Sequence, residues 1–185
     1  QSENLRLLGA RAGERERAQL AGLPAPAVLV EQGLLLELGG RRLMLRHWPG
    51  HTGGDLVVSV DGVAFLGDLF WAAAIPNLID ATVRDWLPTL DALAGSATPA
   101  TRFVPGHGEV GGPAELRAFR DYLATGQQLA EEIAARGLPE AEAQATLLEG
   151  LRERFGERAY FKGLGPANAR DLLAERQGRK RVPPK

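Results

Sequence analysis

The stretch Leu43-Met-Leu-Arg-His-Trp-Pro-Gly-His-Thr-Gly-Gly-Asp55 decides how the rest of the chain is read. Its first half alternates like a half-buried strand, and Pro49-Gly50 ends that strand. His51 follows at once, where a strand end presents a side chain. The same grammar returns twice. Val63-Ala-Phe-Leu-Gly67 is followed by Asp68, and Arg102-Phe-Val-Pro-Gly106 by His107. A glycine before each permits a tight turn and close approach of a bound group.

Two imidazoles and a carboxylate, without thiols, suit Zn²⁺ or another borderline divalent ion. Taken singly, a strand-end histidine is usually an ordinary residue and a Gly-Asp pair usually a turn. Three such sites, two of them Pro-Gly-His tripeptides, make His51, Asp68 and His107 candidate metal ligands. His47 is not added to them. Its i, i+4 spacing from His51 imitates a helical zinc pair, but Pro49-Gly50 breaks any helix between the two.

Working outward, residues 27–30 and 34–38 read as short strands, and Gly39-Gly40 as a two-residue hairpin turn into residues 42–46. Asp61-Gly62 joins Leu56–Val60 to residues 63–66 in a second hairpin, whose apolar runs suggest strands covered on both faces. A helix is expected around Trp86, Leu87, Leu90 and Leu93, with Asp85 as N-cap so that Pro88 falls in the first turn. Residues 101–104 form a further strand. Pro113 opens a helix running to Arg136, and others are expected over 140–154 and 166–175, with Gly163-Leu-Gly165 as a loop. Residues 3–20 read as helix, and 179–185 as a loose tail.

The chain has 185 residues, a net charge of -1, 44% hydrophobic and 24% charged residues, which are globular values. No basic field recruits nucleic acid, and no apolar run approaches the ~20 residues of a membrane span. The cluster Arg176, Arg179, Lys180 and Arg181 is too narrow for several phosphate contacts. With no cysteine and three histidines, any metal must be held by His, Asp or Glu. A primary translation product begins with Met, whereas this chain begins with Gln1. A processed or truncated chain is therefore expected; a cytoplasmic location is favoured, and a removed signal peptide is compatible with the sequence.

The segments HWPGHTGGDLVV (47–58), FLGDLF (65–70) and FVPGHGEV (103–110) resemble, in order and spacing, the C-terminal half of a metallo-β-lactamase-fold hydrolase. The similarity runs from about residue 25 to 125. It implies an α/β fold: the C-terminal half of an αββα sandwich, with a mixed or antiparallel sheet and flanking helices over residues 1–125, and a C-terminal helical extension and tail over 126–185. It also implies that His51 completes one metal site, that His107 completes a second, and that Asp68 bridges two metals. Asp55 would accept a hydrogen bond from a ligating imidazole. Zinc is the implied cofactor, two ions per complete domain, with iron or manganese as alternatives.

The implied activity is attack by a metal-bound hydroxide on an ester, thioester, lactam or phosphoester in a small-molecule substrate. Nothing in the chain matches the family's N-terminal His-x-His-x-Asp-His segment, so the chain by itself is expected to be inactive, as one half of an enzyme. Phe70, Trp71, Ile75 and Leu78 are read equally as a pocket wall or as cover for the sheet. The alternative function is a metal-free binding or assembly module of the same fold, with homo-oligomers formed through the C-terminal helices.

Overall fold

The computed structural model describes residues 27–180. Residues 27–30 form a bend instead of a strand, with Val28 and Leu29 exposed. The first strand, β1, spans Gly33–Leu38, and β2 spans Arg41–His47. Gly39 and Gly40 both take positive φ between them, as a tight two-residue hairpin requires. β3 (Leu56–Val60) and β4 (Val63–Trp71) are joined in the same way by Asp61-Gly62. A crossover through helix α1 (Val83–Ser96) then returns the chain to β5 (Arg102–His107), which lies parallel to β4. The five strands run in chain order in one sheet, antiparallel except for that last pair.

Three helices follow: α2 (Pro113–Ala135), α3 (Glu140–Phe155) and α4 (Phe161–Arg176). Pro113 does open α2, and the Glu115 side chain accepts the Gly112 N–H, which holds its carboxyl below the usual range. The buried cluster starts where Leu66, Phe70 and Phe103 of the sheet meet Trp86, Leu90, Leu116 and Phe119 of α1 and α2. It continues through Tyr122 and Ile133 into Leu147, Leu151 and Leu172 of α3 and α4. Buried Asn168 of α4 donates to the Pro76 carbonyl and to the Tyr122 hydroxyl, which clips α4 onto both α2 and the loop after β4. Burial pushes the Tyr122 phenol up to about 12, so it stays neutral in this network.

Two helices begin earlier than their local sequence suggests. The N-cap of α1 is Thr82 rather than Asp85, and Pro88 lies inside the helix. A distant group supports the additional turn: the Glu175 carboxylate of α4 accepts the N–H groups of Val83 and Arg84, both at 3.0 Å. Those are orphan donors of a helix start, where the positive end of the helix dipole also favours an anion. In α4, Gly163-Leu-Gly165 is helical instead of looped. A Cβ on Gly165 would sit 3.3 Å from Leu148 of α3, so the glycine sets how closely the two helices pack. The basic residues near the C-terminus are turned to internal partners. Arg176 pairs with Glu131, Arg179 with Glu140, and Lys180 donates to the Leu78 carbonyl, where burial lowers its pKa. The loose tail expected from residue 179 is thus anchored at Lys180; the helix expected over 3–20, Arg181 and the tail beyond it lie outside the described residues.

The sheet is covered on one face only among the described residues, which corrects the reading of β3 and β4 as strands buried on both sides. Leu34, Leu45, Val58, Phe65 and Val104 are register partners in succession across all five strands, so they form one apolar row. Phe65 in its centre is 45% exposed, while its neighbours Ala64 and Leu66 point into the core. Exposed apolar rows of this kind drive association. The 185-residue chain is expected to self-associate and to bind a hydrophobic dye, and Phe65→Lys to raise its monomer fraction in sedimentation velocity. A chain that stays monomeric at high concentration and binds no dye would show the row to be covered.

Candidate metal centre

Each of the three candidate side chains is positioned by a different piece of backbone at one end of the sheet. His51 sits in the loop after β2, Asp68 in the second half of β4 and His107 at the end of β5. The His51 loop is stapled internally. Asp55 accepts the Thr52 N–H at 2.8 Å and the Thr52 hydroxyl at 2.7 Å. Its carboxylate therefore shapes the loop and does not accept from a histidine, as the resemblance had implied. The His47 Nε2 donates to the Gly53 carbonyl at 2.9 Å, a second brace across the same loop.

Helix α1 supports the loop from beneath. Thr89 donates to the Pro49 carbonyl at 2.6 Å, and Trp86 meets the His51 ring edge-on at 5.5 Å. A Cβ on Gly50 would lie 2.5 Å from Leu69 and 2.7 Å from Trp86, so only glycine lets the loop settle on this floor.

His51 Nδ1 faces Asp68 Oδ2 at 3.9 Å, and His107 Nε2 faces Asp68 Oδ1 at 3.5 Å. Each carboxylate oxygen thus addresses a different imidazole. Both separations exceed an ordinary N–H···O bond of about 2.9 Å. Neighbouring ligand atoms on one tetrahedral zinc lie roughly 3.3 Å apart. The donor chemistry therefore fits a divalent ion on either side of Asp68. No group of three or more His, Asp or Glu among the described residues is arranged to hold a metal ion by itself.

Gly106 decides whether the carboxylate can be there. A Cβ at that position would come within 2.0 Å of Asp68 Oδ1 and 2.9 Å of the Gly67 backbone carbon. The parallel ladder between β4 and β5 shifts register on both sides of Gly67, which is where Asp68 leaves the regular pleat.

The aromatic surroundings differ from the expected wall. Phe70, Ile75 and Leu78 are fully buried and belong to the core. Only Trp71 of that group meets the histidines. Its indole stacks on the His107 ring at 3.7 Å and donates to the Asp68 carbonyl at 3.0 Å. Sequence reasoning missed Trp86, whose helical spacing marked it only as core. It also missed Tyr160, which stands edge-on to Trp71 at 5.8 Å and to His107 at 5.7 Å. No local pattern singles out Tyr160, which stands in the turn between two helices.

No protein-family model matches the chain. A hydroxyacylglutathione hydrolase from Maricaulis maris (strain MCS10) is 31% identical over 74 residues, covering 39% of this chain and 29% of the relative. A metallo-β-lactamase type 2 from Bacteroides fragilis is 33% identical over 101 residues, covering 51% of this chain and 41% of the relative. The chain therefore spans less than half the length of these curated relatives. Among solved structures, a metallo-β-lactamase from Pontibacter korlensis matches 59% of this chain and 54% of its own, with TM-score 0.51 and 24% identity. A stereoselective inverting sec-alkylsulfatase from Pseudomonas sp. matches 82% of this chain and 27% of its own, with TM-score 0.64 and 19% identity. That second share is more than residues 1–125 could supply, so the likeness reaches into the C-terminal helices.

The chain carries the metallo-β-lactamase fold, and its curated relatives are hydrolases of that fold. The described residues form one αβ half of the sandwich, the C-terminal half by the order of its motifs, followed by the helical extension. No helix among the described residues is long and apolar enough to cross a membrane.

Proposed function

We propose that this chain is the C-terminal half of a zinc-dependent hydrolase that cleaves an ester, thioester, lactam or phosphoester of a small-molecule substrate. His51 and His107 would each hold one metal ion, and Asp68 would join the two through its separate carboxylate oxygens. The observation that carries this reading is the division of the Asp68 carboxylate, with Oδ1 facing His107 and Oδ2 facing His51. A divalent ion bound there supplies two things: water acidified toward a pKa of ~7, and polarisation of the substrate's acyl or phosphoryl oxygen.

The residues of this chain do the rest by positioning. Trp71 fixes the plane of the His107 ring by stacking and secures the Asp68 backbone through its indole N–H. Trp86 and Thr89 fix the loop that carries His51. Without the ligands of an opposing half, three donors serve two metals, so affinity in this chain alone is expected to be modest.

The test is zinc content after equilibrium dialysis. Asp68→Ala is expected to weaken zinc binding at least tenfold while far-UV circular dichroism is unchanged, because the side chain is surface-facing and supports no core packing. Full zinc retention by that variant would overturn the assignment, and an unsubstituted chain that binds no zinc would favour the metal-free binding module.

A further inference from the structure

We infer that Tyr160, carried to the metal centre by the C-terminal helices, is a specificity-determining residue that recognises a flat apolar group, such as a phenyl ring, beside the scissile bond. The inference rests on the hydrolase reading above and adds the substrate class.

The turn between α3 and α4 is bonded to the loop that follows β4, the strand that carries Asp68. Ala159 bridges to Ala74, donates to the Ala73 carbonyl at 3.2 Å and accepts from Ile75 at 3.1 Å. The next residue, Tyr160, is thereby held against the Trp71–His107 stack, with both rings meeting it edge-on. Two features separate this tyrosine from ordinary packing. Its ring residue is 53% exposed, whereas Phe161 beside it is buried. Its backbone is left-handed, φ +66° and ψ -1°, and Ala73 across the bridge is left-handed too, at φ +53°. Such conformations are disfavoured for side chains larger than glycine or asparagine, and they gather at functional sites. Beyond its edge contacts with Trp71 and His107, half of the residue stays open to solvent. What the position provides is an aromatic face next to a metal-facing imidazole.

Trp71 and His107 lie stacked, and Tyr160 stands at 85° and 81° to them, so its half-exposed ring flanks the stack beside His107. A planar apolar group lying against the exposed part of that ring finds edge and face contacts of the kind aromatic pairs prefer. A substrate whose acyl or leaving group is a bare methyl has nothing to lay against that ring.

The experiment compares two zinc-binding probes that differ only by a phenyl ring, acetohydroxamate and phenylacetohydroxamate. They are titrated by calorimetry into the 185-residue chain, Tyr160→Phe and Tyr160→Asn, with zinc in excess over its dissociation constant. The original chain is expected to bind the phenyl probe about tenfold more tightly than the methyl one, a gain in the range of an added aromatic contact. Tyr160→Phe keeps that preference. Tyr160→Asn reduces it to within about twofold and melts no lower, since asparagine accepts the left-handed backbone. Equal affinities in the original chain, or a preference that survives Tyr160→Asn, would overturn the role of Tyr160 while acetohydroxamate binding leaves the hydrolase reading intact. Failure of zinc and both probes to bind would overturn the hydrolase reading, and this inference with it.

Discussion

Gly106→Ala is expected to abolish measurable zinc binding while leaving most of the chain folded. The cause is steric. The added methyl would occupy a point 2.0 Å from Asp68 Oδ1, inside the carboxylate's own contact distance, and 2.9 Å from the carbon of Gly67. Neither a backbone atom of β4 nor a carboxylate held between two imidazoles can share that space. Either Asp68 rotates away from His107, or β5 moves off β4 and takes His107 with it. Both outcomes separate the pair that now stands 3.5 Å apart. Inserting one methyl group into a packed site costs about 1–3 kcal/mol, well within the stability of a domain. Circular dichroism should therefore show a folded chain with a melting temperature lowered by a few degrees, and dialysis should show at least a hundredfold loss of zinc affinity, more than Asp68→Ala is required to show. A variant that binds zinc normally would mean that the Asp68 carboxylate does not face the metal.

The second large effect is on stability. Trp86→Ala is expected to lower the melting temperature by roughly 10–20 °C, read by thermal circular dichroism, or to leave the chain unfolded at 37 °C. Trp86 is fully buried, donates to the Leu69 carbonyl at 3.1 Å, and meets Phe119 at 5.6 Å and His51 at 5.5 Å. Truncating a buried tryptophan costs about 3–5 kcal/mol, and a buried carbonyl left without its donor adds roughly 1–3 kcal/mol. Domains have only about 5–15 kcal/mol in total. The same substitution removes the floor beneath Gly50 and the ring against His51, so zinc binding should fail even where the chain remains folded. A shift of less than about 3 °C would place the weight of the core elsewhere.

Apart from residues 27–30, which bend, the strands and the hairpins are readable because their signals are local. Gly39-Gly40 and Asp61-Gly62 demand positive φ, and both turns form where those pairs stand. Two of the three glycine-punctuated strand ends form as read, with His51 in the loop after β2 and His107 closing β5, whereas Asp68 lies inside β4, which runs on to Trp71 past the expected end. Their convergence is a tertiary fact, set by the parallel pairing of β4 with β5 and by α1 beneath the His51 loop.

What escaped the sequence depended on distant partners. The start of α1 answers to Glu175, whose carboxylate arrives from the last helix. Gly163-Leu-Gly165 is helical because packing against α3 outweighs the glycine penalty. Asp55 was read as an acceptor for a histidine, but Thr52, three residues before it in the chain, offers two donors and takes the carboxylate. Phe70, Ile75 and Leu78 could not be divided between core and pocket by hydrophobicity, which is the same for both. Tyr160 carries no signal at all; its place follows from the Ala159–Ala74 bridge.

Anomalous diffraction at the zinc edge from zinc-soaked crystals of the 185-residue chain asks the decisive question. The account predicts zinc density beside the Asp68 carboxylate, about 2.0–2.1 Å from the Nδ1 of His51, from the Nε2 of His107, or one ion at each. Zinc found only at other surface residues, with the two imidazoles turned away from Asp68, would contradict it.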